Sequence, residues 1–401
     1  MAEKTKKKNV RRYYSLAKFL VGAVLALGRN KILKHFHAEV EAYTPKNDTF
    51  IIIGNHTDTM DPGYQMISLN RYVRFVAADF LVRVNAFTKL ILGKLDGVIV
   101  KNRSKPSDVL IDEIMENLKA GIPVGLHAEG LITTNGETGY ISPNTGKLVK
   151  DSGVALITYR IVGGYLRRPR WAETERSGPV YGKVVHEYSA EELKNYSVDE
   201  INELIRRDIY VNAFEQQKMH PHIYSGERLA EYVERTLYLC PKCNQIGTLH
   251  SHGNELTCEC GYSLTYSEDG LFHSDKNEVI FDNILSWDKW QRKEWHSILQ
   301  NSDGLIFSEK NQIINKVDDG VPKELCSDGA INIYKDRFEL LINGETVSLP
   351  LNDLKRVQNA SKQNLVLINK ENDYYLLKSS VPRSSDKYVA AYYYLTDREY
   401  K

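Results

Sequence analysis

The stretch IIIGNHTDTMDPG, residues 51–63, sets the reading of the whole chain. Three consecutive isoleucines suit a strand covered on both faces, which is how strands of an α/β sheet sit, and such strands end where ligands bind. Here the apolar run gives way to Asn55, His56 and Asp61. A histidine becomes a base for an alcohol when a carboxylate fixes its tautomer and stabilises the imidazolium. His56 and Asp61 are close enough in sequence to meet across one strand-to-helix turn. Pro62 fits the first turn of the following helix, so Asp61 has a second reading as that helix's N-cap.

Outward from this stretch, residues 50–188 alternate strand-like and helical segments. FIIIG, VRFVAAD, GVIVK, PVGLHAEG, VALITYRI and VYGKVVHEY read as strands. SDVLIDEIMENLKAG reads as a helix, with apolar Leu110, Ile111, Ile114 and Leu118 and a stop at Gly121. Capping boxes Ser189 to Glu192 and Ser197 to Glu200 open two more helices. The fold class expected is α/β, a mixed sheet flanked by helices.

This order carries a resemblance. NHTDTMD fits the N-H-x-x-x-x-D block of the glycerolipid acyltransferase family, which includes 1-acylglycerol-3-phosphate acyltransferases. GVIVKNR, ending at Arg103, is similar to that family's second block, and LHAEGLITTNG supplies the Glu-Gly pair of its third, Glu129 and Gly130. The resemblance implies His56 and Asp61 as the catalytic pair. It implies Asn55, Arg103, Glu129 and Gly130 at the substrate, an acyl-CoA or acyl-carrier protein donor, and a lysophospholipid acceptor. The third block departs from the usual F-P-E-G-T-R, with His127, Ala128, Leu131 and Ile132 in place of Phe, Pro, Thr and Arg. The fourth has Ala155 and Thr158 where prolines are usual. Arg160, Arg167, Arg168 and Arg170 are candidates for the missing positive charge, against the plainer reading of a solvated basic loop.

Four cysteines fall in CPKCNQIGTLHSHGNELTCECG as Cys240, Cys243, Cys258 and Cys260. Two close pairs flanking a hairpin-length stretch have zinc-ribbon spacing, so a structural zinc bound by four thiolates is expected, with disulfides as the rival reading. Cys326 is left over and reads as a small buried hydrophobe.

With 42% hydrophobic and 26% charged residues over 401, the chain is long enough for more than one domain, and its net charge of +1 gives no reason to expect nucleic acid. The charge is concentrated at the start, where Lys4, Lys6, Lys7, Lys8, Arg11 and Arg12 oppose only Glu3. The uncharged run from Phe19 to Leu27 is shorter than the ~20 residues a spanning helix needs. A basic tip before a compact apolar segment suits a helix lying in a membrane interface, peripheral or monotopic on the cytoplasmic face; a signal peptide or a plain core helix are the alternatives.

The last third reads as β-rich, with an Asn343-Gly344 turn and DKYVAAYYYLTDREY as a closing helix; a small barrel of the pleckstrin-homology type would suit it. WDKWQRKEW places Trp287, Trp290 and Trp295 among basic residues, read as packing first and as a membrane contact second. The expected divisions are 1–45 (basic tip and membrane helix), 46–236 (acyltransferase-like domain), 237–270 (ribbon) and 271–401 (β-rich domain).

Overall fold

The computed structural model describes residues 2–78, 98–101, 107–318 and 320–398. Arg103, which closes the second sequence block, lies outside the described residues. The chain packs as two compact units, 1–169 with 177–224, and 170–176 with 225–401.

The first unit is built on a seven-stranded sheet. Its strands are β1 (Ala38–Val40), β2 (Phe50–Gly54), β3 (Arg74–Ala78), β4 (Ile99–Lys101), β5 (Val124–His127), β6 (Ala155–Val162) and β7 (Val180–Tyr188), in the order β1-β7-β6-β2-β5-β3-β4. All neighbours run parallel except β6 and β7, so the sheet is mixed. The isoleucine run explains itself in this setting. Ile51 and Ile53 face a core shared with the helices Ser107–Lys119 and Val198–Ile209, while Phe50 and Ile52 face a second core with Tyr64 and Leu69 of the helix Asp61–Leu69. All four of these β2 side chains are fully buried, each worth roughly 1.5–3 kcal/mol of apolar burial. An alternating strand would have left one of these cores unfilled.

Both capping boxes form as read, Ser189 with Glu192 and Ser197 with Glu200. Asp61 does not cap its helix: the N-cap position is Met60, with Pro62 in the first turn. That releases the Asp61 carboxylate for other partners. The three-residue β1 was not read from the sequence, because so short an edge strand has no periodicity of its own. Before it runs a 34-residue helix, Ala2–His35, whose Phe19 and Leu27 side chains are exposed. No described helix is long and apolar enough to cross a membrane.

The second unit holds a four-stranded sheet, β8 (Leu249–His252), β9 (Glu255–Cys258), β10 (Ser263–Tyr266) and β11 (Phe272–His273), ordered β11-β10-β9-β8. Beyond it lies a seven-stranded antiparallel sheet of β12 (Phe307–Asp318), β13 (Val321–Ile333), β14 (Arg337–Ile342), β15 (Glu345–Pro350), β16 (Leu354–Ala360), β17 (Asn364–Asn369) and β18 (Tyr374–Ser379), with the helix Asp386–Leu395 against it. Asn343 and Gly344, both at positive φ, turn β14 into β15 as expected. The tryptophans pack. Trp287 and Trp295 are fully buried on the helix Ile284–Asn301 and donate to the carbonyls of Leu239 and Lys387. Packing divides the chain at 224, earlier than the 236 read from composition, because Leu229, Ala230 and Tyr232 hydrogen-bond to Asn254, Gly253 and Ser251 of the second unit.

Candidate active site

His56 follows the carboxyl end of β2, where a parallel strand releases its last residues into the turn before the helix Asp61–Leu69. Its Nδ1 lies 2.9 Å from Asp61 Oδ2, and its side chain is 20% exposed while that of Asp61 is wholly buried. The same carboxylate accepts from the amides of Thr57 (2.6 Å) and Asp58 (2.9 Å) and from the Thr57 hydroxyl (3.0 Å). One buried side chain thus folds the turn around itself and holds the ring. Burial pushes the Asp61 carboxyl up to about 7, with the Asp58 and Thr57 amides pulling the other way. With Nδ1–H directed at Asp61, Nε2 is the basic nitrogen.

The segment after β5 grips His56 by its backbone. Glu129 accepts from the amides of His56 and Gly139, both at 2.6 Å, and the Thr133 amide donates to the His56 carbonyl at 3.0 Å. Burial raises the Glu129 carboxyl to about 7. Asn55 makes a two-way pair with the backbone of Ile161 in β6, donating to its carbonyl and accepting from its amide, each at 2.8 Å. The side chains of Asn55 and Glu129 thus bond backbone groups while both line the pocket beside His56. Gly130 sits at φ 72, a conformation that favours glycine, with open space where a Cβ would lie.

His127, one of the departures from the third block, stacks on His56 with ring centroids 4.1 Å apart and planes 11° from parallel. Its Nδ1 faces the carbonyls of Gly54 (3.2 Å) and Asn55 (3.1 Å), so Nδ1 carries the proton. Burial, with the neighbouring His56 second, lowers the His127 imidazole to about 3 and keeps it neutral. His56, Asp61 and His127 bring ligand-type atoms within 4.8 Å of one another. Lone pairs of stacked imidazoles run side by side in their ring planes instead of converging, and the Asp61 oxygens are already engaged, so this trio suits a base and its supports better than a metal.

Asp58, inside the histidine turn, was not singled out in the sequence. It is buried and pairs with Arg167 (3.2 Å) and Arg168 (3.3 Å). Arg167 is itself buried and lies over the Phe36 ring, which overturns the solvated-loop reading for this residue. Of the other arginines considered, Arg160 donates to the carbonyls of Asp208 and Arg207, and Arg170 belongs to the second unit, where it donates to the Ser361 carbonyl.

In the second unit the four cysteines converge. Cys240 and Cys260 sulfurs lie 3.9 Å apart, Cys243 and Cys258 3.8 Å, and all four fall within 4.8 Å of one another. Thiolates at a zinc–sulfur distance of about 2.3 Å in a tetrahedron stand about 3.8 Å apart, so this donor set fits such an ion. Asn244 and Gly261, at positive φ, make the two tight turns that present the pairs. Cys326 is buried, as read.

Residues 35–162, about a third of the chain, match the acyltransferase family model. No curated protein matches the chain. Among solved structures, the chain is similar to the 1-acyl-sn-glycerophosphate acyltransferase PlsC from Thermotoga maritima, at 19% identity over 56% of this chain and 100% of that one, with a TM-score of 0.37. It is also similar to the Vps36 N-terminal PH domain (16% identity, 23% and 80% coverage, TM-score 0.20) and to the C-terminal domain of an unknown protein from Leishmania infantum (14%, 27% and 97%, 0.18). These TM-scores are too low to carry weight. The family match spans the His56–Asp61 pair, the Glu129 clamp and the sheet edge that brings them together.

Proposed function

We propose that the chain is an O-acyltransferase that moves a fatty acyl group from acyl-CoA or acyl-carrier protein to the hydroxyl of a lysophospholipid. The observation that carries this reading is the buried Asp61 carboxylate 2.9 Å from His56 Nδ1, which makes Nε2 a base. His56 takes the proton of the acceptor hydroxyl as that oxygen attacks the thioester carbonyl, and Asp61 stabilises the imidazolium. The tetrahedral intermediate collapses, the carbon–sulfur bond breaks, and the leaving thiolate takes the proton back from His56. No acyl-enzyme is needed. The acceptor suggested by the sequence blocks is 1-acylglycerol-3-phosphate, giving phosphatidic acid, with Arg103 on its phosphate; another acceptor is the nearest rival. A lipid- or protein-binding scaffold without activity is the rival from a different class.

The reaction is placed at the cytoplasmic face of the cell membrane, with the helix Ala2–His35 as its peripheral or monotopic hold; its basic start and exposed Phe19 and Leu27 support this. The cysteine cluster is assigned a structural zinc, bound by Cys240, Cys243, Cys258 and Cys260, because four protein thiolates close a tetrahedral site and leave no position for substrate.

The test is thiol release from acyl-CoA and acyl-carrier protein across a panel of lysophospholipid and water-soluble acceptors. Acceptor-dependent release is expected. Lipid binding without release for any donor and acceptor would favour the scaffold.

A further inference from the structure

A cavity of about 710 Å³ lies in the first unit, and it adjoins the histidine pocket: Gly163 and Ala213 line both. Its floor is one face of three adjacent strands. The register pairs Glu39 with Tyr181 and Val40 with Gly182, and the Glu41 amide bonds the Gly182 carbonyl, which sets Glu41 beside Lys183. On the other side, β6 pairs with β7 as Arg160 with Lys183 and Val162 with Tyr181. Alternation along each strand puts these residues on one face. The floor therefore holds two rows, Glu41–Lys183–Arg160 and Glu39–Tyr181–Val162, with neighbouring Cβ atoms about 5 Å apart.

Arg160 is held by the carbonyls of Asp208 and Arg207, and the other three charges are placed but not consumed. Among the described residues Glu39, Glu41 and Lys183 form no side-chain hydrogen bond or ion pair, although Glu41 and Lys183 are cross-strand neighbours. The opposite wall is built firmly. Gln217, at the end of the helix Ala213–Met219, holds both backbone groups of His222, and Tyr224 donates to the Pro179 carbonyl. Gln216 and His220 complete it.

The volume suits a small organic ligand and exceeds what an inorganic ion needs. Charges of both signs exclude an acyl chain, whose burial there would desolvate them unpaired. Two carboxylates beside the cations work against a phosphate that brings no cation of its own, but they suit an ammonium held one strand spacing, about 4.8 Å, from a phosphate on Lys183 and the remaining nitrogen of Arg160. We propose that this cavity receives the acceptor's head group, and that the head group is a zwitterion carrying a phosphodiester and an amine. This rests on the acyltransferase reading and favours its rival acceptor over 1-acylglycerol-3-phosphate.

The experiment is a ³¹P NMR titration of the full chain with O-phosphoethanolamine, glycerol 3-phosphate and a short-chain lysophosphatidylethanolamine. Saturable binding of phosphoethanolamine at least tenfold tighter than glycerol 3-phosphate is expected. Lys183→Glu and Glu41→Lys should each weaken it tenfold or more, and the two together should restore part of the loss, a pattern that general surface charge does not give. Equal affinity for the two small probes, or binding unmoved by both exchanges, would overturn the proposal. The lysolipid should bind more tightly than free phosphoethanolamine; no gain would mean that a free aminoalkyl phosphate, and not a lipid head group, is the ligand, which would overturn the acceptor assignment. Thiol release separates the two readings: release without probe binding sinks the head-group inference alone, whereas probe binding without release from any donor sinks the acyltransferase.

Discussion

The histidine turn and the cysteine cluster are both small polar constellations held by tight turns, yet they are built on opposite plans. Around His56 the carboxylates of Asp61 and Glu129 collect backbone amides, and the result is one partly exposed ring with one basic nitrogen. Around the cysteines four identical donors face one another at 3.8–3.9 Å across each pair. The first arrangement uses its polar atoms to aim a single group at something outside the chain. The second turns them on one another, in a set that could close around a metal ion. A reaction needs an unfinished site, and a structural centre needs a finished one.

The sharpest way to break this comparison is His56→Ala. Thiol release should fall roughly 10²–10⁴-fold with the circular dichroism spectrum and thermal midpoint nearly unchanged, because the group removed acts outward. Asp61→Asn should also be severe, since an amide holds the ring without stabilising its charge. Turnover within threefold of the unaltered chain would remove His56 from the chemistry.

The finished site should respond the other way round. If the cysteines hold the proposed zinc, the unaltered chain should carry one zinc by plasma mass spectrometry, and Cys240→Ser or Cys258→Ser should lose it and lower the unfolding midpoint of the second unit, while acyl transfer per folded chain persists. Full zinc content in both variants would mean the cysteines are not its ligands.

A subtler test concerns His127, which braces the open site. Its imidazole is lowered in the fold to about 3 from an ordinary 6.5, so the unfolded chain binds the proton that the folded chain refuses. This group therefore costs stability as pH falls from about 6.5 toward 3, whereas Asp61 and Glu129, both raised, contribute in the opposite sense. In His127→Phe the first contribution is gone. Thermal midpoints measured from pH 7 to pH 4 should fall less steeply in the variant, and equal slopes would show that His127 titrates normally.

The smallest effect is expected where neither plan applies, on the helix Ala2–His35. Removing residues 1–28 should reduce pelleting with anionic vesicles, with each lost lysine or arginine worth about 1 kcal/mol at low salt and less as salt rises. Activity on vesicle-borne lysophospholipid should drop more than activity on a soluble analogue. Undiminished pelleting would move the membrane hold elsewhere.

What could be read from the sequence alone was local. The doubly buried run at residues 50–53, the capping boxes at Ser189 and Ser197, the Asn343-Gly344 turn and the converging cysteine pairs each depend on neighbours a few residues apart, where propensity, turn chemistry and spacing act directly. His56 and Asp61 belong to the same class, five positions apart on one turn. The supports of the site do not. Glu129 reaches the His56 amide from 73 positions away, Asn55 meets Ile161 across 106, and Arg167 meets Asp58 across 109. None of those meetings has a periodic or spacing signal, because sheet order and register alone decide which strand ends lie side by side. The same register sets Lys183 of β7 between Arg160 of β6 and Glu41, the residue after β1, which lies far off in the chain. Residue types showed which chemistry was available, and only the packed sheet decided which of those residues meet and which backbone groups they hold still.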